Sequence, residues 1–282
     1  MVCAGILCLS LQQKDLRRRS RRKTAEPVER SLLSQRTTAV GWDNVGEQEI
    51  GDALVGVDLV FHTGETMETF GESYGYIRYR TTVTSAASGD LVLPALRSYA
   101  RVYVNWVLVG TLNRQKKEDR INVRVNAKDE LDVIIEGTGR INFSLELRNE
   151  RQGINGPVML AGKELTGWEV LPLPMDDLSA LHYGPILSRP RPANGPAFYQ
   201  GHFDLHEIGD TFLDTRGWGK GVVWINGHAL GRFWNIGPQQ TLYVPAPYLK
   251  QGKNEVIVFT LGGKTLRLRG LREPILDELG SE

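Results

Sequence analysis

The chain has 282 residues, of which 41% are hydrophobic and 24% charged, with a formal net charge of +1. Those proportions argue against global disorder, and so small a net charge gives no overall pull toward nucleic acid or an acidic membrane. The two cysteines, Cys3 and Cys8, both lie in the first ten residues, which excludes a small disulfide scaffold and fits a reducing compartment.

Residues 1–60 show no clear periodicity and read as a loosely structured leader or a remnant. The apolar run Val2–Leu11 precedes the basic cluster Arg17, Arg18, Arg19, Arg21, Arg22 and Lys23. A secretory signal has the opposite order, and the run is far shorter than the ~20 residues of a spanning helix. The readings are a solvated basic arm, a start-proximal anchor, or a nuclear or nucleic-acid address. The first is preferred, and a cytoplasmic location is expected. The triplet Asn142-Phe143-Ser144 has the form of a glycosylation sequon, a pattern that arises readily by chance.

From about residue 61 to 171 the texture is that of a first β-sandwich. Tyr76–Val83 alternates aromatic and β-branched residues, and Leu91–Leu93, Val102–Val104, Ile121–Val123 and Leu131–Ile135 follow at short, turn-bounded intervals. Residues 172–197 hold Pro172, Pro174, Pro185, Pro190, Pro192 and Pro196, and predict a linker crossing a surface. A second strand-rich block occupies 198–272, with room to share strands with the first, and 273–282 is a tail.

The two blocks repeat one another. Val102-Tyr103-Val104-Asn105 aligns with Val223-Trp224-Ile225-Asn226, and Gly110 with Gly231; 226 − 105 and 231 − 110 are both 121. Leu91 and Phe212 share that offset, whereas Val133–Ile135 aligns with Val256–Val258 at 256 − 133 = 123, implying a two-residue insertion. Asn226-Gly227 predicts a type I′ reversal, since both residues tolerate positive φ. Trp106 stands where that glycine would be in the first block, which disfavours the same tight turn there. The expected fold is therefore all-β: two tandem β-sandwiches behind a loosely structured N-terminal segment.

The second block carries Gly209–Asp214, Gly217-Trp218-Gly219-Lys220-Gly221, Val223–His228, Leu230–Asn235, Gly237-Pro238-Gln239 and Thr241–Pro245. This run resembles the C-terminal galactose-binding-like domain of glycoside hydrolase family 35 β-galactosidases. In the first block, Gly75–Thr81 and Gly139–Phe143 also resemble that family, the likeness spans roughly residues 66–270, and it implies that the two sandwiches are jelly-roll, galactose-binding-like folds. The resemblance implies an accessory region of an enzyme that hydrolyses terminal β-galactosides with retention, using two glutamates on a preceding barrel. Neither glutamate motif is found here, and the residues before 66 are far fewer than the ~250 of a barrel. No catalytic residue, metal or cofactor is therefore expected. The partners expected are β-galactosides or a catalytic barrel, with neither nucleic acid nor membrane.

Asp204, Glu207, Asp210 and Asp214 cluster in sequence, but nothing in their spacing forces the ~5–5.5 Å separation of a retaining pair, so they read as turn and cap residues. His202 and His206 would sit about 13 Å apart on a strand, which argues against a metal site. Trp218, Asn226, His228, Arg232, Trp234 and Asn235 offer an aromatic platform and planar polar groups, as sugar binding needs. The same side-chain types anchor domain interfaces or a core, and that structural reading is preferred. The alternatives to an accessory region are a stand-alone carbohydrate-binding module and the non-catalytic subunit of a split β-galactosidase.

Overall fold

The computed structural model describes residues 46–49, 59–179, 181, 184–185, 195–237, 240–263 and 267–276. Both cysteines, the basic cluster, most of the N-terminal leader, much of the Pro-rich crossing, Pro238, Gln239 and most of the tail lie outside them. Among the described residues the structure is β throughout, with short 3-10 turns, and no helix is long and apolar enough to cross a membrane. Two compact units divide near residue 200.

The first unit contributes β1 (Gly46–Glu49), β2 (Leu59–Phe61), β3 (Tyr76–Thr82), β4 (Ala87–Val92), β5 (Tyr99–Val104) and β6 (Val107–Asn113). It continues with β7 (Arg120–Val125), β8 (Glu130–Glu136), β9 (Met159–Leu160), β10 (Lys163–Glu164), β11 (Trp168–Leu173) and β12 (Gly184–Pro185). One sheet runs β2-β11-β3-β8-β5-β6 and the facing one β10-β9-β4-β7. Alternation along the strands turns Ile77 and Tyr79 of β3, Val102 and Val104 of β5, and Leu131, Val133 and Ile135 of β8 to one side. They meet Leu91 of β4, Val123 and Val125 of β7 and Leu160 of β9 in one buried cluster. Each such side chain removed from water stabilises the fold by roughly 1.5–3 kcal/mol before chain entropy is counted.

The second sandwich is built by β13 (Ala197–Leu205), β14 (Thr211–Asp214), β15 (Lys220–Ile225), β16 (His228–Trp234), β17 (Thr241–Val244), β18 (Gly252–Thr260) and β19 (Arg269–Leu271). The order β13-β18-β15-β16 repeats β3-β8-β5-β6, and β17-β14-β19 repeats the three-strand order β7-β4-β9. The two sandwiches share one plan, as the sequence repeat implies.

The repeat extends to irregularities. The β5–β6 register slips between Val102 and Tyr103, leaving Val109 unpaired before Gly110. The β15–β16 register slips between Val223 and Trp224, leaving Leu230 unpaired before Gly231. Both are β-bulges at equivalent positions. Gly231 takes a φ of 120°, which bars a side chain. At Gly110 a Cβ would collide with Ile121 on the facing sheet.

Two expectations need correction. The first-block turn does form: Asn105 and Trp106 have φ of 49° and 63°, matching 48° and 81° at Asn226 and Gly227. Left-handed backbone costs Trp106 about 1–2 kcal/mol. Its ring recovers part of that beneath the Arg80 guanidinium, 5.0 Å from the centroid, which is itself held by Asp132 at 2.9 Å. Asn105 supplies the rest: Glu130 N donates to its Oδ1 at 2.9 Å, and its Nδ2 donates to Asp129 at 2.9 Å. The second correction concerns the insertion. Asn105 N donates to Glu130 O and Asn226 N to Glu255 O, and each Glu amide returns a bond to its Asn. The equivalent residues are Glu130 and Glu255, so the offset there is 255 − 130 = 125 and the insertion is four residues. A two-residue shift along a strand keeps every side chain on its face, so apolar pattern could not tell 123 from 125.

Asn226→Ala is expected to cost roughly 2–3 kcal/mol in urea unfolding, because it strands several part-buried partners. Asn105→Ala, at an exposed site, is expected to cost about 1 kcal/mol. Trp106→Gly should stay within about 0.5 kcal/mol of the parent, strain relief offsetting the lost ring contact. An Asn105→Ala penalty equal to that of Asn226→Ala would refute the weight given to burial.

Candidate functional site

The six residues singled out in the second block are split among three places. Trp218 sits in the β14–β15 loop between Gly217 and Gly219, whose φ of 92° and 77° turn its ring inward. It is fully buried, and its Nε1 donates to Arg267 O at 2.9 Å. A face available for stacking on a sugar is therefore not presented by Trp218.

Asn226 and His228 occupy the tip of the β15–β16 hairpin. Asn226 Nδ2 donates to Tyr248 O at 2.7 Å and to Asn254 Oδ1 at 2.8 Å, while its Oδ1 accepts from Glu255 N at 3.0 Å. Its carboxamide is thus fully committed inside the chain. Asn254 is wholly buried and in turn donates to Lys250 O and Gly252 O at 2.7 and 2.9 Å. The exposed His228 ring stacks on Tyr248 with centroids 4.3 Å apart and planes 15° apart.

Arg232, Trp234 and Asn235 lie toward the other end of β16, where Trp234 is about 20 Å from His228 at six strand steps. Beyond the bulge Phe233 points inward, so Arg232 and Trp234 share the outer face. The Trp234 ring carries the Lys220 ammonium 3.6 Å from its centroid, across the Lys220–Trp234 strand pair. Asn235 acts through its backbone, its N donating to Gly219 O at 2.7 Å and its O accepting from Gln240 Nε2 at 3.1 Å. Tyr248, Asn254 and Lys220 are the site residues that sequence reasoning missed. Each is joined to its partner across strands, and no local spacing signals it.

Two of the four clustered carboxylates, Asp210 and Asp214, are also committed. Asp210 accepts from Ala246 N at 2.8 Å. Asp214 accepts two bonds from the Arg216 guanidinium and one from Arg269, all at 2.9 Å. Burial opposes it, but these donors hold the Asp214 carboxyl below its ordinary range. His202 is pushed down by burial and then by Lys253. Among the described residues no three His, Cys, Asp or Glu side chains converge as a metal would require.

One carboxylate in the first sandwich is different. Glu72 has a buried Oε2 with no hydrogen-bond partner. Burial, and then the neighbouring Asp176, raise it from 4.5 to about 7. Tyr74 OH donates to that Asp176 at 2.7 Å.

Residues 65–174 match the model of the β-galactosidase first all-beta domain, and residues 196–254 that of the β-galactosidase galactose-binding domain. Together the two matches take in more than half of the chain. The chain belongs to the β-galactosidase family. Its match is to the C-terminal, non-catalytic region. It is 39% identical over 210 residues to a β-galactosidase of Xanthomonas manihotis, covering 74% of this chain and 33% of that protein. It is 35% identical over 202 residues to human Beta-galactosidase-1-like protein 2, covering 70% and 31%. With Beta-galactosidase 17 of Arabidopsis thaliana the identity is 30% over 268 residues, covering 84% and 37%. The chain spans about a third of the length of the curated relatives it matches.

Within this β-galactosidase region, Glu72 gives a pH signature. Its folded-state pKa lies above the unfolded value, so its contribution to stability is full below about 4.5 and is lost as pH rises through about 7. Glu72→Gln should melt like the parent at pH 4 and at an increasingly higher temperature than the parent from pH 5 to pH 7.5. A pH-independent difference would show that the carboxyl is not perturbed.

Proposed function

We propose that this chain is the accessory, galactose-binding-like region of a β-galactosidase, and that it serves a catalytic part that hydrolyses terminal β-galactosides. The catalytic part is a barrel, in cis as in the family or in trans as a split enzyme. The observation that carries the reading is the presence of two family-matched sandwiches in which the candidate site side chains Asn226 and Trp218 and the clustered Asp214 are spent on internal bonds or on the core. Asn226, Asn254 and Asp214 are saturated by chain partners, and Trp218 is core. Retaining hydrolysis needs two carboxyl groups ~5–5.5 Å apart across a substrate cleft, one able to donate a proton and one to attack. Asp214, locked by two guanidinium groups, suits neither role.

A second reading is a sugar-binding module, favoured by the exposed His228–Tyr248 stack and by Trp234. In it, Arg232 and Trp234 at one end of β16, or His228 at the other, touch the ligand while Trp218, Asn226 and Asn235 shape the scaffold.

Two measurements separate these. The purified chain is expected to give no turnover of a chromogenic β-galactoside; turnover abolished by a single Glu or Asp substitution would overturn the accessory reading. Calorimetric titration with galactose and lactose is expected to show no saturable heat at millimolar sugar. Saturable binding that Trp234→Ala or His228→Ala weakens tenfold would install the binding-module reading instead.

A further inference from the structure

The first sandwich holds out an apolar arm between β8 and β9. Its base is closed by one side chain. Glu68 Oε1 pairs with Arg140 Nη1 at 2.6 Å, and both Glu68 oxygens accept from Gln152 N at 3.2 Å. Arg140 also donates through Nε and Nη2 to Ser73 O at 3.2 Å. At the other end the buried Glu150 accepts from Arg97 at 3.0 Å and from Arg114 at 2.9 Å. Between these clamps Ser144 Oγ accepts from Glu146 N at 3.0 Å and caps the short turn Leu145–Asn149.

What the clamps hold out is apolar. Phe143 is 92% exposed, Leu145 85% and Leu147 48%. A single exposed leucine means little, but three large apolar side chains within five residues form a patch that normally has a partner. A segment closed at its base with an exposed apolar middle has the character of a functional Ω-loop rather than a frayed connection. Its charges, Glu146 and Arg148, cancel, so nothing in it selects a phosphate backbone or an acidic surface. Apolar and charge-depleted at its centre, it has the composition of a protein interface core.

We propose that this arm is the docking element for the part of a β-galactosidase outside the third matched here, seating Phe143 and Leu145 in an apolar recess of that part. The proposal rests on the accessory reading above and names the surface through which it works. Two facts select this occupant. The arm lies inside the region matched to the first all-beta domain, residues 65–174. The Xanthomonas manihotis relative, of which the matched region is 33%, carries two thirds of its length elsewhere.

The test places the full chain in that β-galactosidase as a hybrid, replacing its matched third, and introduces Phe143→Asp with Leu145→Asp. The double variant is expected to leave the melting temperature of the free chain unchanged and to lower that of the hybrid by roughly 5 °C or more, with a parallel loss of hydrolysis. An unchanged hybrid would overturn the docking proposal and leave the accessory reading standing. Equal losses in free chain and hybrid would make the arm a structural element and overturn it too. A free chain that elutes as a dimer dispersed by the double variant would assign the arm to a second copy. Sedimentation of the free chain with phosphatidylcholine vesicles would assign it to a bilayer. A hybrid that never folds would sink the accessory reading, and the arm proposal with it.

Discussion

Each sandwich is registered by the grip of one asparagine on the backbone N–H and C=O of one glutamate. Asn226 donates its amide to Glu255 O and takes back the Glu255 amide on its carboxamide oxygen; Asn105 does the same with Glu130. The pair of bonds spans the central strands, β15 with β18 and β5 with β8. A slip of one residue there would turn every inward side chain of a central strand outward, exchanging Val133 and Ile135 for Asp132 and Ile134. The carboxamide also stabilises the positive φ that a two-residue reversal demands, an angle asparagine tolerates better than most residues. One side chain thereby sets turn geometry and strand register together, and the bulge before Gly110 or Gly231 completes the bend of the hairpin.

Strands in two blocks, and the repeat between the blocks, were legible because they rest on period-two patterning and on residues with special backbone freedom. The tip of the first hairpin was not. Trp106 in a left-handed conformation contradicts its local preference, and the terms that compensate come from Arg80 and Asp132, some 25 residues away on either side. The insertion length was hidden for a different reason: a shift of two residues changes no side-chain face, so a hydrogen bond, not a pattern, had to decide it. Site residues suffered from proximity in sequence. Trp218 to Asn235 reads as one polar-aromatic cluster, yet β16 carries His228 and Trp234 about 20 Å apart in six steps, and Trp218 is buried.

Carboxylates in this chain are fasteners wherever they are buried and paired with arginine. Asp132 holds Arg80 against Trp106, Glu150 takes Arg97 and Arg114, and Asp214 takes Arg216 and Arg269. Such pairs are weak arguments for net stability, because desolvation offsets much of the attraction. Their value is geometric: a bidentate guanidinium fixes where a loop leaves the sheet. Glu72 stands apart because it is partly buried without such a partner and beside another carboxylate, which together raise it from 4.5 to about 7.

The duplicated hairpin separates what a sandwich must keep from what it can present. In both copies the asparagine, the bulge and its glycine are the same. The tips differ: Trp106 lies under Arg80 in one, and in the other a glycine frees His228 to stack on Tyr248. Because register is secured by the asparagine and its bonds to the neighbouring strand, the residue after the asparagine carries little of the folding free energy and can vary without moving the strands. The arm between β8 and β9 follows the same division, with its ends held by arginine–carboxylate pairs and its apolar middle left free of them. Domains built this way combine rigid strands with surfaces that can change independently of them.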